Sequence, residues 1–255
     1  MLRFTVGALI LIYLVLVGGV AMAQRSLLYF PTHQTITGPL REWMERGELI
    51  GFGREVERPK EVWLMLHGNG GQAAQRGYML NHVADDAAFY VLEYPGYGRR
   101  EGKPSRKTIE AAAVMAWRAL RALYPGVPMR VIGESIGSGP ASALAGEASP
   151  PEKIVLWTPY DRLVDVAKEK FPWLPVGWIL RDKWDNGAAL QGYPGQIEIY
   201  AATQDEVIPN HHARTLHAKA PGSRFIEIEG GHNSWRWTDV LRVSEAVDGH
   251  GSEPR

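Results

Sequence analysis

The sequence predicts an α/β domain with a mainly parallel sheet flanked by helices, carrying a short cap insertion and preceded by a transmembrane helix. Three observations predict it. Strand-like apolar runs alternate with helix-like runs over most of the chain, the pattern of a parallel sheet covered on both faces. A serine framed by glycines, Gly133-Glu134-Ser135-Ile136-Gly137, stands where one of those strands gives way to a helix. Residues 4–23 contain no charged side chain and are rich in Leu, Ile and Val, about the length that crosses a bilayer as a helix.

The N-terminal run is bracketed by Arg3 and Arg25. It reads as a single-pass signal anchor or as a cleaved signal peptide, since Ala21-Met22-Ala23 fits the small-x-small cleavage rule. Its length exceeds that of an ordinary signal h-region and favours the anchor. Arg3 and the α-amino group point to a cytoplasmic N-terminus, with the rest of the chain expected on the outer (periplasmic or extracytoplasmic) side, although the flanking charges differ little and specify orientation weakly. The division expected is an anchor at 1–25, a domain at 26–247 with its cap at about 159–194, and a tail at 248–255.

Along the domain, 48–53 reads as an early strand and 62–66 as a second, bounded by His67-Gly68. Residues 72–85 have helical spacing, and 89–92 is a further strand. Residues 108–124 form an Ala-rich amphipathic helix that Pro125-Gly126 ends. Strand 129–132, helix 136–146 and strand 154–157 follow. Residues 159–194, with four Pro and three Trp, break the rhythm and read as the cap. Strand 197–200, helix 210–220 and strand 224–228 complete the pattern.

Composition narrows the chemistry. Lys+Arg and Asp+Glu number 28 each in 255 residues, which disfavours a nucleic-acid partner. There is no cysteine, so disulfides, thiolate catalysis and zinc–thiolate sites are excluded. A serine hydroxyl is a weak nucleophile and needs a base, itself oriented by an acid. The base candidate is His232, in the glycine loop Glu229-Gly230-Gly231-His232-Asn233 after the last strand. The acid candidate is Asp205, after strand 197–200. Asp161, Asp182 and Asp185 compete, but lie in the cap. Ser135, Asp205 and His232 each follow the carboxyl end of a parallel strand, and so share one sheet edge.

An oxyanion hole needs backbone N–H donors. One is expected from Ile136; the other from the loop His67-Gly68-Asn69-Gly70-Gly71, with Asn69 preferred and Gly70 the alternative. His67 reads as structural support beneath that loop. His211, His212 and His217 fall on an expected surface helix with no further ligand in the sequence to hold a metal. No metal or cofactor is expected. Gly96 to Ser105 misses the phosphate-loop spacing, and Gly133, Gly137 and Gly139 miss the dinucleotide fingerprint. Phe171, Trp173, Leu174, Trp178 and Trp184 in the cap either line an acyl pocket or pack the cap onto the domain.

Together these segments resemble the α/β-hydrolase superfamily, and within it the membrane-anchored, single-domain branch related to ABHD-type serine hydrolases. RSLLYFPT after the apolar helix, LHGNGG, EYPGYGRREGKPS, GESIGSGPA, TPYDRLVDVAKEKFPWLP, LRDKWDN, TQDEVIP and GGHN carry the resemblance from about Ser26 to Val247. It implies the α/β-hydrolase fold, Ser135 as nucleophile, Asp205 and His232 as its partners, and Asn69 as an oxyanion donor. It also implies cleavage of an ester or thioester in a small-molecule or lipid acyl substrate. Amide hydrolysis, or a non-catalytic tethered protein keeping the fold, are the alternatives. Glu93 and Pro95 stand where Asp and Arg are common in relatives.

Overall fold

The computed structural model describes residues 2–234. The expected end of the domain at 247 and the tail at 248–255 lie outside the described residues. A single eight-stranded sheet organises the molecule, built from β1 (Arg41–Glu45), β2 (Glu48–Arg54), β3 (Glu61–Leu66), β4 (Ala87–Leu92), β5 (Met129–Glu134), β6 (Lys153–Trp157), β7 (Gln196–Ala202) and β8 (Arg224–Ile228). Its order is β1-β2-β4-β3-β5-β6-β7-β8. The β1/β2 and β2/β4 pairs are antiparallel, and every pair from β4 to β8 is parallel.

The parallel strands are buried on both faces, as sheets covered by helices require. In β3, Val62, Leu64 and Leu66 enter one core cluster, while Trp63 and Met65 enter the other. This is the period-2 alternation of a strand. The 108–124 helix is observed as α2 (Arg106–Leu123), capped by the Ser105 hydroxyl, which accepts from Thr108 N. After β5, a 3₁₀ turn (Ser135–Gly137) leads into α3 (Ser138–Ala143). The α7 helix (Asn210–Lys219) separates β7 from β8.

Two local expectations are corrected. The helical spacing at 72–85 resolves into a 3₁₀ segment, Ala73–His82. Strand β1 has no counterpart in the sequence reading. It pairs with β2 through the two-residue turn Arg46-Gly47, where both residues have positive φ (49° and 84°), as hairpin turns of this length demand.

The cap lies between β6 and β7 and holds three short helices, α4 (Leu163–Lys170), α5 (Val176–Ile179) and α6 (Asn186–Ala189). The N-terminal helix α1 runs from Leu2 to Leu28, past the expected end at residue 25. It is long and apolar enough to cross a membrane. Residues 4–16 are exposed, whereas Val17, Val20, Ala21, Gln24 and Leu28 form a half-buried to buried stripe. Val17 and Val20 pack on a small cap cluster of Val164, Leu174, Val176 and Leu180. Polar bonds reinforce that seat. Gln24 donates to Ile179 O and accepts from Arg181 N. Arg25 and the Tyr29 hydroxyl both donate to the buried Asp182 carboxylate.

Candidate active site

Ser135 has φ of 52°, a left-handed backbone that only a tightly constrained turn imposes on a non-glycine residue. The flanking glycines explain how the turn fits. A Cβ at Gly133 would come 2.6 Å from Ala141 Cβ and 2.8 Å from Gly137 O, and one at Gly137 would overlap the Leu66 carbonyl. The β5–α3 junction is thereby pressed against the end of β3, and the serine side chain is lifted above the sheet edge.

The structure brings the three sequence-predicted residues together. His232 Nε2 lies 2.9 Å from Ser135 Oγ, and His232 Nδ1 lies 2.7 Å from Asp205 Oδ2. All three are buried. The other Asp205 oxygen accepts from Val207 N (2.9 Å) and Ile208 N (2.7 Å), so the loop after β7 locks the carboxylate. Glu206 accepts from His232 N (3.2 Å), steadying the base loop from behind. The competing carboxylates are engaged elsewhere: Asp182 with Arg25 and Tyr29, Asp185 as the N-cap of α6, and Asp161 with His212 and Lys219.

Beside Ser135 opens a cavity of about 680 Å³. Asn69 and Ile136 line it, as do Leu27 of α1, Phe30, and Phe171 and Leu180 of the cap. The loop that carries Asn69 is held by an arrangement the sequence reading missed. Glu134, the variable position of the serine motif, accepts from Gly68 N (3.0 Å) and forms an ion pair with Arg76 (2.9 Å). Burial alone would raise the Glu134 carboxyl, but Arg76 and the Gly68 N–H outweigh it and hold the group below the usual carboxylate range. His67 is structural, as expected: it is buried, stacks on Tyr94 and bonds to Gly68 O (2.8 Å). Glu93 is buried beneath the same loop, where it accepts from Ala73 N and approaches His67 Nε2 at 3.4 Å.

The Asn69 side chain has a second use. Its Oδ1 accepts from Phe30 N (2.9 Å) and from the Tyr97 hydroxyl (2.8 Å), and its amide donates to Leu28 O. The loop beside Ser135 is thus stapled to the chain where it leaves α1. The signal was present as LHGNGG and RSLLYFPT, but not the fact that these segments meet.

The cap aromatics divide in a way the sequence left open. Phe171 lines the cavity; Leu174 packs on α1. Trp184 is buried against the domain and meets Tyr29 edge-on at 6.3 Å. Trp173 and Trp178 do neither and are exposed. The expectation of a surface position for His212 is corrected. It is buried between cap and domain, with Nδ1 2.9 Å from Asp161 and Nε2 3.2 Å from Glu169. His211 also reaches Glu169, so three ligand-type atoms cluster there, each already engaged in these polar contacts.

The model of the alpha/beta hydrolase fold family matches residues 62–188. An uncharacterized protein of Mycobacterium tuberculosis is 28% identical over 249 residues, covering 88% of this chain and 85% of that one. Alpha/beta hydrolase domain-containing protein 17C of Xenopus laevis is 29% identical over 202 residues, 74% of this chain and 62% of that one. Among solved structures, an esterase of Pyrococcus furiosus aligns with a TM-score of 0.62 at 12% identity over 80% of this chain and 89% of that one. An esterase of Exiguobacterium antarcticum aligns with a TM-score of 0.57 at 18% identity over 77% and 93%. Sheet order, strained serine turn and these matches agree: the chain belongs to the α/β-hydrolase superfamily.

Proposed function

We propose that the protein is a serine hydrolase that cleaves carboxylic ester or thioester bonds through an acyl-enzyme. The continuous Ser135–His232–Asp205 contact chain, of which Ser135 and His232 line the cavity, carries this reading. His232 Nε2 takes the proton as Ser135 Oγ attacks the acyl carbonyl carbon. The backbone N–H groups of Ile136 and Asn69 receive the oxyanion. Collapse of the tetrahedral intermediate breaks the bond to the alcohol or thiol, which leaves with the proton from His232. Water, deprotonated by the same imidazole, attacks the acyl-serine, and the acid departs as Ser135 regains its proton. Asp205, held by two backbone N–H groups, keeps the Nδ1 proton in place and stabilises the imidazolium in each half-reaction. The predominantly apolar cavity wall suits an acyl chain, and α1 tethers the domain to a membrane.

A panel of p-nitrophenyl esters of rising chain length, run beside aminoacyl amides, tests the reading. Ester turnover that Ser135→Ala abolishes is expected. Preferential turnover of amides, or none of either class, would contradict it.

A further inference from the structure

The docked position of α1 has a geometric consequence for the cap. The segment 173–182 runs alongside α1 in the same direction. The Tyr13 hydroxyl donates to Trp173 O (2.9 Å), Gln24 reaches Ile179 and Arg181, and Arg25 reaches Asp182. Trp173 therefore sits at the level of Tyr13. From Arg3 to Tyr13 the helix rises only about 15 Å, half of the roughly 30 Å hydrocarbon thickness. While α1 stays docked, the turns before Tyr13 are too short to cross the hydrocarbon unless the cap tip enters the leaflet beside them.

The tip has the composition for that position. Phe171-Pro172-Trp173-Leu174-Pro175-Val176-Gly177-Trp178-Ile179-Leu180 is ten residues without a charge, bracketed by Lys170 and Arg181. Leu174, Val176 and Leu180 turn inward to α1. Phe171, Trp173 and Trp178 are exposed, Trp178 to 92%. Such an exposed tryptophan is unfavourable in water, and Trp178, between Trp173 at the depth of Tyr13 and Arg181 at the level of Gln24, falls toward the membrane interface with Arg181 at headgroup level. The exposed tip is also continuous with the bare apolar surface of α1, whose Leu9, Leu11, Ile12 and Leu16 are likewise exposed.

We propose that the cap tip, residues 171–180, is a second membrane-inserted element that enters the domain-side leaflet beside α1. The inference rests on the proposed anchoring by α1. Its functional consequence follows from the cavity, whose wall includes Phe171 and Leu180 at the two ends of the tip and Leu27 of α1. Lipid-facing segments thus frame the path to Ser135, and a long acyl chain reaches the serine from the leaflet without crossing water.

The absence of native cysteine allows a direct test. Full-length protein is made as three single-cysteine variants, Val6→Cys in α1, Trp178→Cys in the tip and Glu57→Cys in the exposed β2–β3 loop. Each is labelled with an environment-sensitive nitrobenzoxadiazole dye and reconstituted in phosphatidylcholine–phosphatidylglycerol vesicles with or without doxyl-labelled lipid. Labels at 6 and 178 are expected to be several-fold brighter than the label at 57, blue-shifted and quenched by doxyl lipid. A water-like label at 178 with a lipid-buried label at 6 would overturn the inserted tip and leave the anchor standing. Water-like labels at both positions would overturn the anchor, and the inference with it.

Discussion

The serine turn and the cap are held in different ways. At the turn, backbone meets backbone: Gly133 and Gly137 leave no room for a Cβ, and Asp205 is fixed by two main-chain N–H groups. The cap is stitched on by side chains. Asn186 donates to Ser138 Oγ and Tyr160 O, Asp161 receives His212 and Lys219, and Asp182 receives Arg25 and Tyr29. The contrast teaches where specificity is free to change. A backbone-dictated turn tolerates almost no substitution, while side-chain stitches are exchanged one at a time without moving the sheet. In the proposed reading, the first region holds the chemistry and the second shapes the substrate site.

The contrast breaks most sharply at the serine turn. His232→Ala is expected to lower kcat by about 10⁴-fold or more, leaving the residual rate that binding and the oxyanion hole sustain; pre-steady-state ester hydrolysis reads it directly. Gly137→Ala should be nearly as severe by another route. The new methyl meets the Leu66 carbonyl, so the variant is expected to lose several kcal/mol of stability, about 3 or more, in urea melts.

Loosening the loop beside Ser135 should cost less. Arg76→Met leaves the Glu134 carboxylate without its cation, and Glu134 then holds Gly68 less firmly. A fall in kcat of roughly tenfold is expected, short of the hundredfold or more that follows removal of a whole oxyanion donor, with KM little changed.

The cap should respond to pH on the alkaline side of neutrality. Burial alone would lower the His212 pKa, but Asp161 and Glu169 outweigh it and raise it above the usual 6.5. A raised folded-state value means that the stitch stabilises fully below that pH and fades as pH climbs through the raised value. Burial would raise the Asp161 carboxyl, yet His212 and Lys219 bring it well below 3.8, so its contribution is lost only in strong acid. The Tm difference between wild type and His212→Gln is therefore expected to be larger at about pH 6 than at about pH 9. The smallest effect belongs to Trp178→Ala. That side chain touches little of the domain, and stability in detergent should shift by no more than about 0.5 kcal/mol.

The same contrast explains what was legible in the sequence. The serine turn is written locally: glycines at fixed spacing, a strand before and a helix after. Asp205 and His232 were readable because each follows a strand end in the required order. The cap stitches were not, since Asp161 and His212 lie 51 positions apart and neither residue has a local signal for the other. Arg76 and Glu134, 58 apart, were hidden for the same reason. Strand β1 escaped notice because only a two-residue turn, Arg46-Gly47, separates it from β2, and arginine does not advertise a positive φ. The tryptophans of the cap could be counted but not sorted, because burial against the domain and exposure beside α1 look alike in composition.

The central claim is that Ser135 is the nucleophile, activated by His232. Reaction of the full-length protein with a fluorophosphonate probe, followed by peptide mass mapping, tests it most directly. A single adduct on Ser135 is predicted, absent from Ser135→Ala and strongly slowed in His232→Ala. Equal labelling of wild type and Ser135→Ala, or an adduct on another residue, would contradict the account.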